Sequence, residues 1–261
     1  MATILHPNME GSMRRIGTVL LVIGWLLGAV TTASAERNWE FSFGTFGGKA
    51  FHGDTTYRVN WGTTPAGFEP VTYKASGLRF EDSWTFGAKL TAWRLPRKYS
   101  WQPQIGFEID GTRFTADVPP QTLSGQGVGL ISGISLSDVM FSNRRELGVD
   151  SLAVNLLFRY PIWATTDRPQ GLWYPYVGIG GGVQRARLST LGYEESSLSP
   201  CFQGLVGIKL FLIKYVAVFG EAKWTQGWHS FDYASVGAPS GYSQQYAIAT
   251  AHLVGGVALH F

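Results

Sequence analysis

The side chains of this chain that could do chemistry are few. Glu108 and Asp110 sit two apart, with Ile109 between them. On an extended strand that spacing puts both carboxylates on one face, where they could share a proton or ligate a hard cation. Lys89 and Arg159, on segments that would neighbour theirs, offer plain neutralisation instead, as do Lys209 and Lys223 for Glu221. Trp228-His-Ser-Phe-Asp232 brings His229, Ser230 and Asp232 together. A nucleophile needs its base within hydrogen-bond reach, and adjacent residues on an extended segment point apart. His252 and His260 share a face, but no third ligand stands at metal spacing beside them. Arg144-Arg145 and Arg185/Arg187 are paired guanidiniums of the kind that suit phosphate. Cys201 is the only cysteine, which rules out an intrachain disulfide and a cysteine-based metal site. The sequence therefore offers no catalytic residue, metal ligand or cofactor site that stands on its own residues.

The elements carrying these residues have a period of two. The last stretch, Tyr246 to Phe261, alternates Phe261, Leu259, Val257, Gly255, Leu253, Ala251 against His260, Ala258, Gly256, Val254, His252. One face is apolar throughout, as in a strand that crosses a bilayer. Seven further segments alternate in the same way: Asn38–Gly47, Ser83–Arg94, a stretch through Ile105–Asp110, Val149–Tyr160, Tyr174–Val183, Phe202–Phe211 and Tyr215–Trp224. The connections run long, short, long, short, long, short, long. The long ones cover 48–82, 115–147, 184–199 and 225–245. Outer-membrane barrels have short periplasmic turns and longer external loops. The pattern predicts an all-β, antiparallel, up-and-down transmembrane barrel of about eight strands. The count rises to ten if Gly127–Leu136 and part of the first loop pair within the membrane. Trp39, Trp84, Trp93, Trp101, Trp173, Tyr174, Tyr215, Trp224 and Tyr246 fall near strand ends, where interfacial girdles form.

Composition agrees. Of 261 residues 15% are charged, below the roughly 25% of soluble domains. A formal net charge of +3 with no basic run gives no reason to expect nucleic acid. Arg14 and Arg15, the apolar run Ile16–Val30 and Ala33-Ser-Ala35 read as a signal peptide over residues 1–35, with Met13 as an alternative start. The barrel domain is then 36–261. With lipid outside, Lys89, Glu108, Asp110, Arg159, Lys209, Glu221 and Lys223 face a lumen that their pairing occludes.

Pro175-Tyr-Val-Gly-Ile-Gly-Gly-Gly182, Gly204-Leu-Val-Gly207, Val218-Phe-Gly-Glu-Ala-Lys223 and the terminal strand resemble the OmpA-like, eight-stranded surface-antigen family of outer-membrane barrels. The terminal Phe261 resembles the signal by which such barrels are inserted by the outer-membrane assembly machinery. Fainter likenesses, in Phe46-Gly-Gly-Lys-Ala50, Ser83–Lys89 and Gly106–Phe114, are to lipid A oxidase-like barrels. The resemblance is specific for the barrel class and not for a role; the reading of the whole chain is a monomeric barrel with a structural or surface-interaction role, among outer-membrane lipid and lipopolysaccharide. Arg144, Arg145, Arg185 and Arg187 are its candidate contacts to lipid A phosphates. A lipid A-modifying enzyme and a narrow small-solute pore are the alternatives.

Overall fold

The computed structural model describes residues 38–61, 71–95, 99, 101–129, 135–136, 139–141, 143–165, 168–190, 193–232 and 243–261. The predicted signal segment, 1–35, lies outside the described residues. Everything regular between Trp39 and His260 is strand. In chain order these are β1 (Trp39–His52), β2 (Thr55–Trp61), β3 (Val71–Leu78), β4 (Ser83–Arg94), β5 (Gln104–Thr115), β6 (Gln121–Leu123), β7 (Gly125–Gly129), β8 (Ser135–Leu136), β9 (Val139–Phe141), β10 (Glu146–Arg159), β11 (Trp173–Thr190), β12 (Tyr193–Ile213), β13 (Val216–Asp232) and β14 (Ser243–His260).

Eight of these strands close a cylinder in the order β1-β4-β5-β10-β11-β12-β13-β14, and β14 returns to β1. Every wall pairing is antiparallel, and the seam runs from Ser42↔His260 to His52↔Thr250. Closure leaves no wall edge unpaired, the condition for a sheet to sit in lipid. The ten-strand alternative resolves into an eight-stranded wall with pairing above it. β7 does pair with β3, and β8 with β7, but in an extension of the first hairpin beyond the cylinder. β2 continues β1 along β14, from Tyr57↔Tyr246 to Asn60↔Ser243, so the first hairpin stands above the wall.

Several strands run further than alternation alone predicts. Residues 184–199 read as a loop, yet β11 and β12 pair through them to Thr190↔Tyr193. β13 likewise continues through His229 to Asp232, which the sequence places in a loop. Above the apolar stretch the inward face still carries Ala186, Leu188 and Phe231, all buried, but the polar residues among them mask the alternation.

Side chains inside the cylinder are fitted by size. Rings on one strand lie over glycines on the next, so that Phe46 covers Gly87, Trp93 covers Gly106, Tyr176 covers Gly207 and Phe219 covers Gly256. A Cβ at Gly207 would stand 2.6 Å from the Tyr176 ring, and one at Gly106 2.5 Å from that of Trp93. Three of the predicted girdle aromatics therefore belong elsewhere: Trp93, Tyr174 and Tyr246 are buried inside, each 2% exposed or less. Trp39, Trp84, Trp101, Tyr215 and Trp224 do face outward.

Candidate functional site: a closed lumen and a charged outer rim

The outer face of the cylinder is an apolar belt. It reads Phe86, Leu90 on β4, Ile105, Phe107, Ile109 on β5, and Leu152, Val154 on β10. It continues as Val177, Ile179, Val183 on β11, Phe202, Val206, Ile208, Leu210 on β12, and Leu253, Val257, Leu259 on β14. These are between 41% and 68% exposed to whatever surrounds the wall, Ile179 the most. Along β11 the belt spans Trp173 to Val183, about 33 Å of strand and roughly 25 Å of barrel axis at a ~40° tilt. That matches the apolar height of outer-membrane barrels.

The inner face is charged and buried. At the end where Trp39 and His260 begin and end the wall, Arg159 sends Nη2 to Glu40 Oε2 at 2.6 Å and Nη1 to Glu40 Oε1 at 3.3 Å. Its Nε donates to Gln104 Oε1 at 2.7 Å. The guanidinium packs into the corner made by the edge-to-face pair Trp93 and Tyr174, 4.4 and 4.5 Å from the ring centroids. His260 Nδ1 lies 2.5 Å from Glu40 Oε1. Around this layer an aromatic and aliphatic cluster of Trp93, Leu157, Tyr174, Tyr176, Leu205, Phe211 and Ala217 fills the barrel.

Midway up, Lys89 Nζ is 2.5 Å from Glu221 Oε2 and 3.5 Å from Glu108 Oε2. Lys223 Nζ is 2.6 Å from Asp110 Oδ2 and 3.7 Å from Glu221 Oε1. Hydroxyls and an amide donate to the same carboxylates, and Glu221 Oε1 is left without a hydrogen bond among the described residues. Tyr176 Oη donates to Glu221, Thr91 Oγ1 and Asn155 Nδ2 to Glu108, and Thr112 Oγ1 to Asp110. Glu108 and Asp110 therefore share a face and neighbouring cations, each serving as an ion-pair partner. Lys209, 3% exposed, has no ion pair among the described residues and lies 5.6 Å from the Phe219 ring centroid and 5.8 Å from that of Tyr174.

Sequence reasoning missed Glu40 and His260 as members of this network. Glu40 alternates with Trp39 and Phe41, so its inward direction was readable, but its partner Arg159 lies 119 residues away. The pairings also skip strands: Lys89 on β4 reaches across the lumen to Glu221 on β13. Alternation gives direction, whereas which charges meet depends on the barrel's shear.

Above the charged layer a second apolar cluster closes the far end. It gathers Tyr57, Val59, Tyr73, Leu78 and Phe80 from the first hairpin with Phe114, Val118, Leu123, Leu147, Leu188, Phe231, Tyr246 and Ile248. His229 points inward beneath it, Nε2 2.9 Å from Gln184 Oε1, and burial lowers its pKa to about 4. His52, at the same end, bonds Thr115 O and Thr250 Oγ1, and burial again lowers its pKa. Ser230 faces the opposite way from His229 and is exposed. Among the described residues no three His, Cys, Asp or Glu side chains group as a metal site.

The four arginines separate. Arg144 donates to Asp117 Oδ2 at 2.9 Å and pairs with Glu81 at 2.7 Å; those contacts raise its pKa. Arg145 Nη1 donates to Gln244 Oε1 and Tyr246 Oη and so braces the extension. Arg185 and Arg187 share the outward face of β11 just past the belt.

No family model and no curated protein matches the chain. Among solved structures it is similar to Neisserial surface protein A, at 12% identity and a TM-score of 0.43 over 86% of this chain and 97% of that one. It is also similar to the outer membrane protein OprG from Pseudomonas aeruginosa, at 13% and 0.44 over 86% and 96%. A third likeness is to the outer membrane protease OmpT from Escherichia coli, at 9% and 0.38 over 88% and 99%.

Proposed function

We propose that the chain is an integral β-barrel of the bacterial outer membrane with a closed lumen, serving a structural or surface-interaction role rather than conduction. The observation that carries this reading is the inversion of the wall. A closed cylinder presents a ring of apolar side chains about 25 Å tall to its surroundings and keeps its ion pairs inside. A contiguous apolar surface of that extent is far beyond what a soluble monomer exposes, a few hundred Å². The lumen supports the closed reading over the pore: the Lys89–Glu221 and Lys223–Asp110 pairs lie between two apolar clusters. The surface role is supported by the extension, whose hairpin shares an apolar core with the upper ends of the wall strands. The segments that resemble OmpA-like barrels all lie on β11 to β14, so they speak for the wall and leave the role open.

The test is fractionation with conductance. The mature chain should sediment with the outer membrane, and folded protein in detergent should run faster on a gel unheated than boiled. In planar bilayers it should give no large, steady openings. Recovery in the soluble periplasm would refute the location, and steady large currents would make the pore the better reading.

A further inference from the structure

Where the apolar belt ends, the outer wall carries one dense cluster of charge. Arg113 on β5, Asp150 on β10 and Arg185 on β11 are successive register partners, and Arg187 follows two residues up β11 on the same face. Asp150 accepts from Arg187 Nη2 and lies 3.5 Å from Arg113 Nε. Arg185 makes no ion pair among the described residues. The Arg113, Arg187 and Asp150 side chains are 71, 45 and 37% exposed. Three guanidiniums against one carboxylate leave a formal +2, spread over three adjacent strands, about 10 Å of wall. Arginine forks bind oxyanions through paired N–H donors, and Asp150 already accepts from one of them and pairs with a second.

Directly below, on the same outer face, lies an apolar groove lined by Phe107, Val154, Ile179, Phe202, Gly204 and Trp224. It exists because Gly204 leaves a gap between Phe202 and Trp224. Ile179 lies six residues down β11 from Arg185, about 20 Å of strand. Phe107 has the same relation to Arg113 on β5.

We propose that cluster and groove form one site for a phosphorylated, multiply acylated glycolipid of the lipid A type. Its phosphates meet Arg113, Arg185 and Arg187, and one acyl chain runs down the wall into the groove. The inference rests on the outer-membrane reading above: Trp39 and His260, where the wall begins and ends, lie at the opposite end from the cluster, and the cluster then faces the outer leaflet. The width of the cluster suits a headgroup with more than one phosphate. A free phosphate would use the arginines without the groove, and a neutral lipid the groove without the arginines.

The experiment is a titration of the delipidated, detergent-folded barrel, read by tryptophan fluorescence. The ligands are bis-phosphorylated hexa-acyl lipid A, the same lipid stripped of phosphate, phosphatidylglycerol and inorganic pyrophosphate. The variants are R185Q/R187Q and G204L. A Cβ at Gly204 meets nothing within 4 Å, so leucine fills the groove without moving the wall. Lipid A should bind with one saturable site. Removal of its phosphates, or R185Q/R187Q, should weaken it tenfold or more, and G204L threefold or more. Unheated gel mobility reports that each variant is folded, and the dephosphorylated ligand tests the arginines on the wild-type chain alone. Equal binding of phosphatidylglycerol, competition by pyrophosphate at the concentration of lipid A, or variants within twofold of wild type would overturn the proposal. A barrel that fractionates with the outer membrane yet fails this titration overturns the site alone; failure to fractionate overturns the reading beneath it.

Discussion

Replacing Glu40 with glutamine isolates the charge in the lower lumen. The side chain keeps its shape and one acceptor, but Arg159 loses the carboxylate that both its Nη atoms face. Arg159 is 1% exposed and packed against two rings, so it is shielded from solvent. At an effective dielectric of about 20, unit charges ~4 Å apart attract by about 4 kcal/mol. Removing one member of a buried pair typically costs about 3–5 kcal/mol. Because glutamine retains an acceptor, about 3 kcal/mol is the expected loss for E40Q. R159M alone strands Glu40, although His260 still faces it. The double variant E40Q/R159M removes both charges and should lose less than either single change. The assay is reversible urea unfolding of the barrel in lipid vesicles, followed by gel mobility and tryptophan emission, as a double-mutant cycle. A coupling energy below ~0.5 kcal/mol, or an E40Q loss under ~1 kcal/mol, would refute the view that this pair is a dry, mutually dependent unit.

Other outcomes follow from the same structure. E221A leaves Lys89 and Lys223 with reduced compensation and should both destabilise the barrel and raise its bilayer conductance above wild type, measured by planar-bilayer recording. G207L would drive a side chain into the Tyr176 ring, and its folding yield in vesicles should fall severalfold by unheated gel mobility. His229 is buried neutral, with a folded pKa of about 4 against about 6.5 unfolded, so its contribution is fully present above pH 6.5 and is lost as pH falls towards 4. Acidification to pH 4 should cost on the order of 3 kcal/mol through this residue. H229Q should flatten that part of the pH–stability curve; His52, lowered in the same direction, leaves a residual slope. Deleting Phe261 should impair assembly in cells, read as loss of the fast-migrating band from outer-membrane fractions.

The wall was legible because alternation is a local property. Ser83–Arg94 has the same bounds in sequence and structure, since Trp84, Phe86 and Leu90 alternate with Thr85, Lys89 and Thr91 across its length. Strand direction, and hence which charges turn inward, followed from the same rule. What escaped was set by distance in sequence. Arg159 and Glu40 meet because the register around the closed sheet brings them to one level, and no local pattern encodes that. The inward rings of Trp93 and Tyr174 were misplaced for a related reason. A ring near a strand end looks like a girdle residue until the glycine or cation it covers is known, as Gly106 and Arg159 are for these two. The long hairpins beyond the belt were missed because their few buried apolar residues, such as Leu188 and Phe231, are interspersed with charged and small polar ones, which reads as loop.

The rings lying on glycines bear on how the cylinder finds its closing register. β1 and β14 come from opposite ends of the chain, and their joining completes the wall. At that junction Phe46 stands opposite Gly256, and the Phe219 ring from β13 leans over the same glycine. A slip of one pleat would set Phe46 against Val254 or Ala258, whose side chains occupy the space the rings need. A misregistered junction is therefore sterically blocked before any ion pair forms. The interlock acts as a checkpoint during insertion, so substitutions at Gly256 should slow closure more than they weaken the finished barrel.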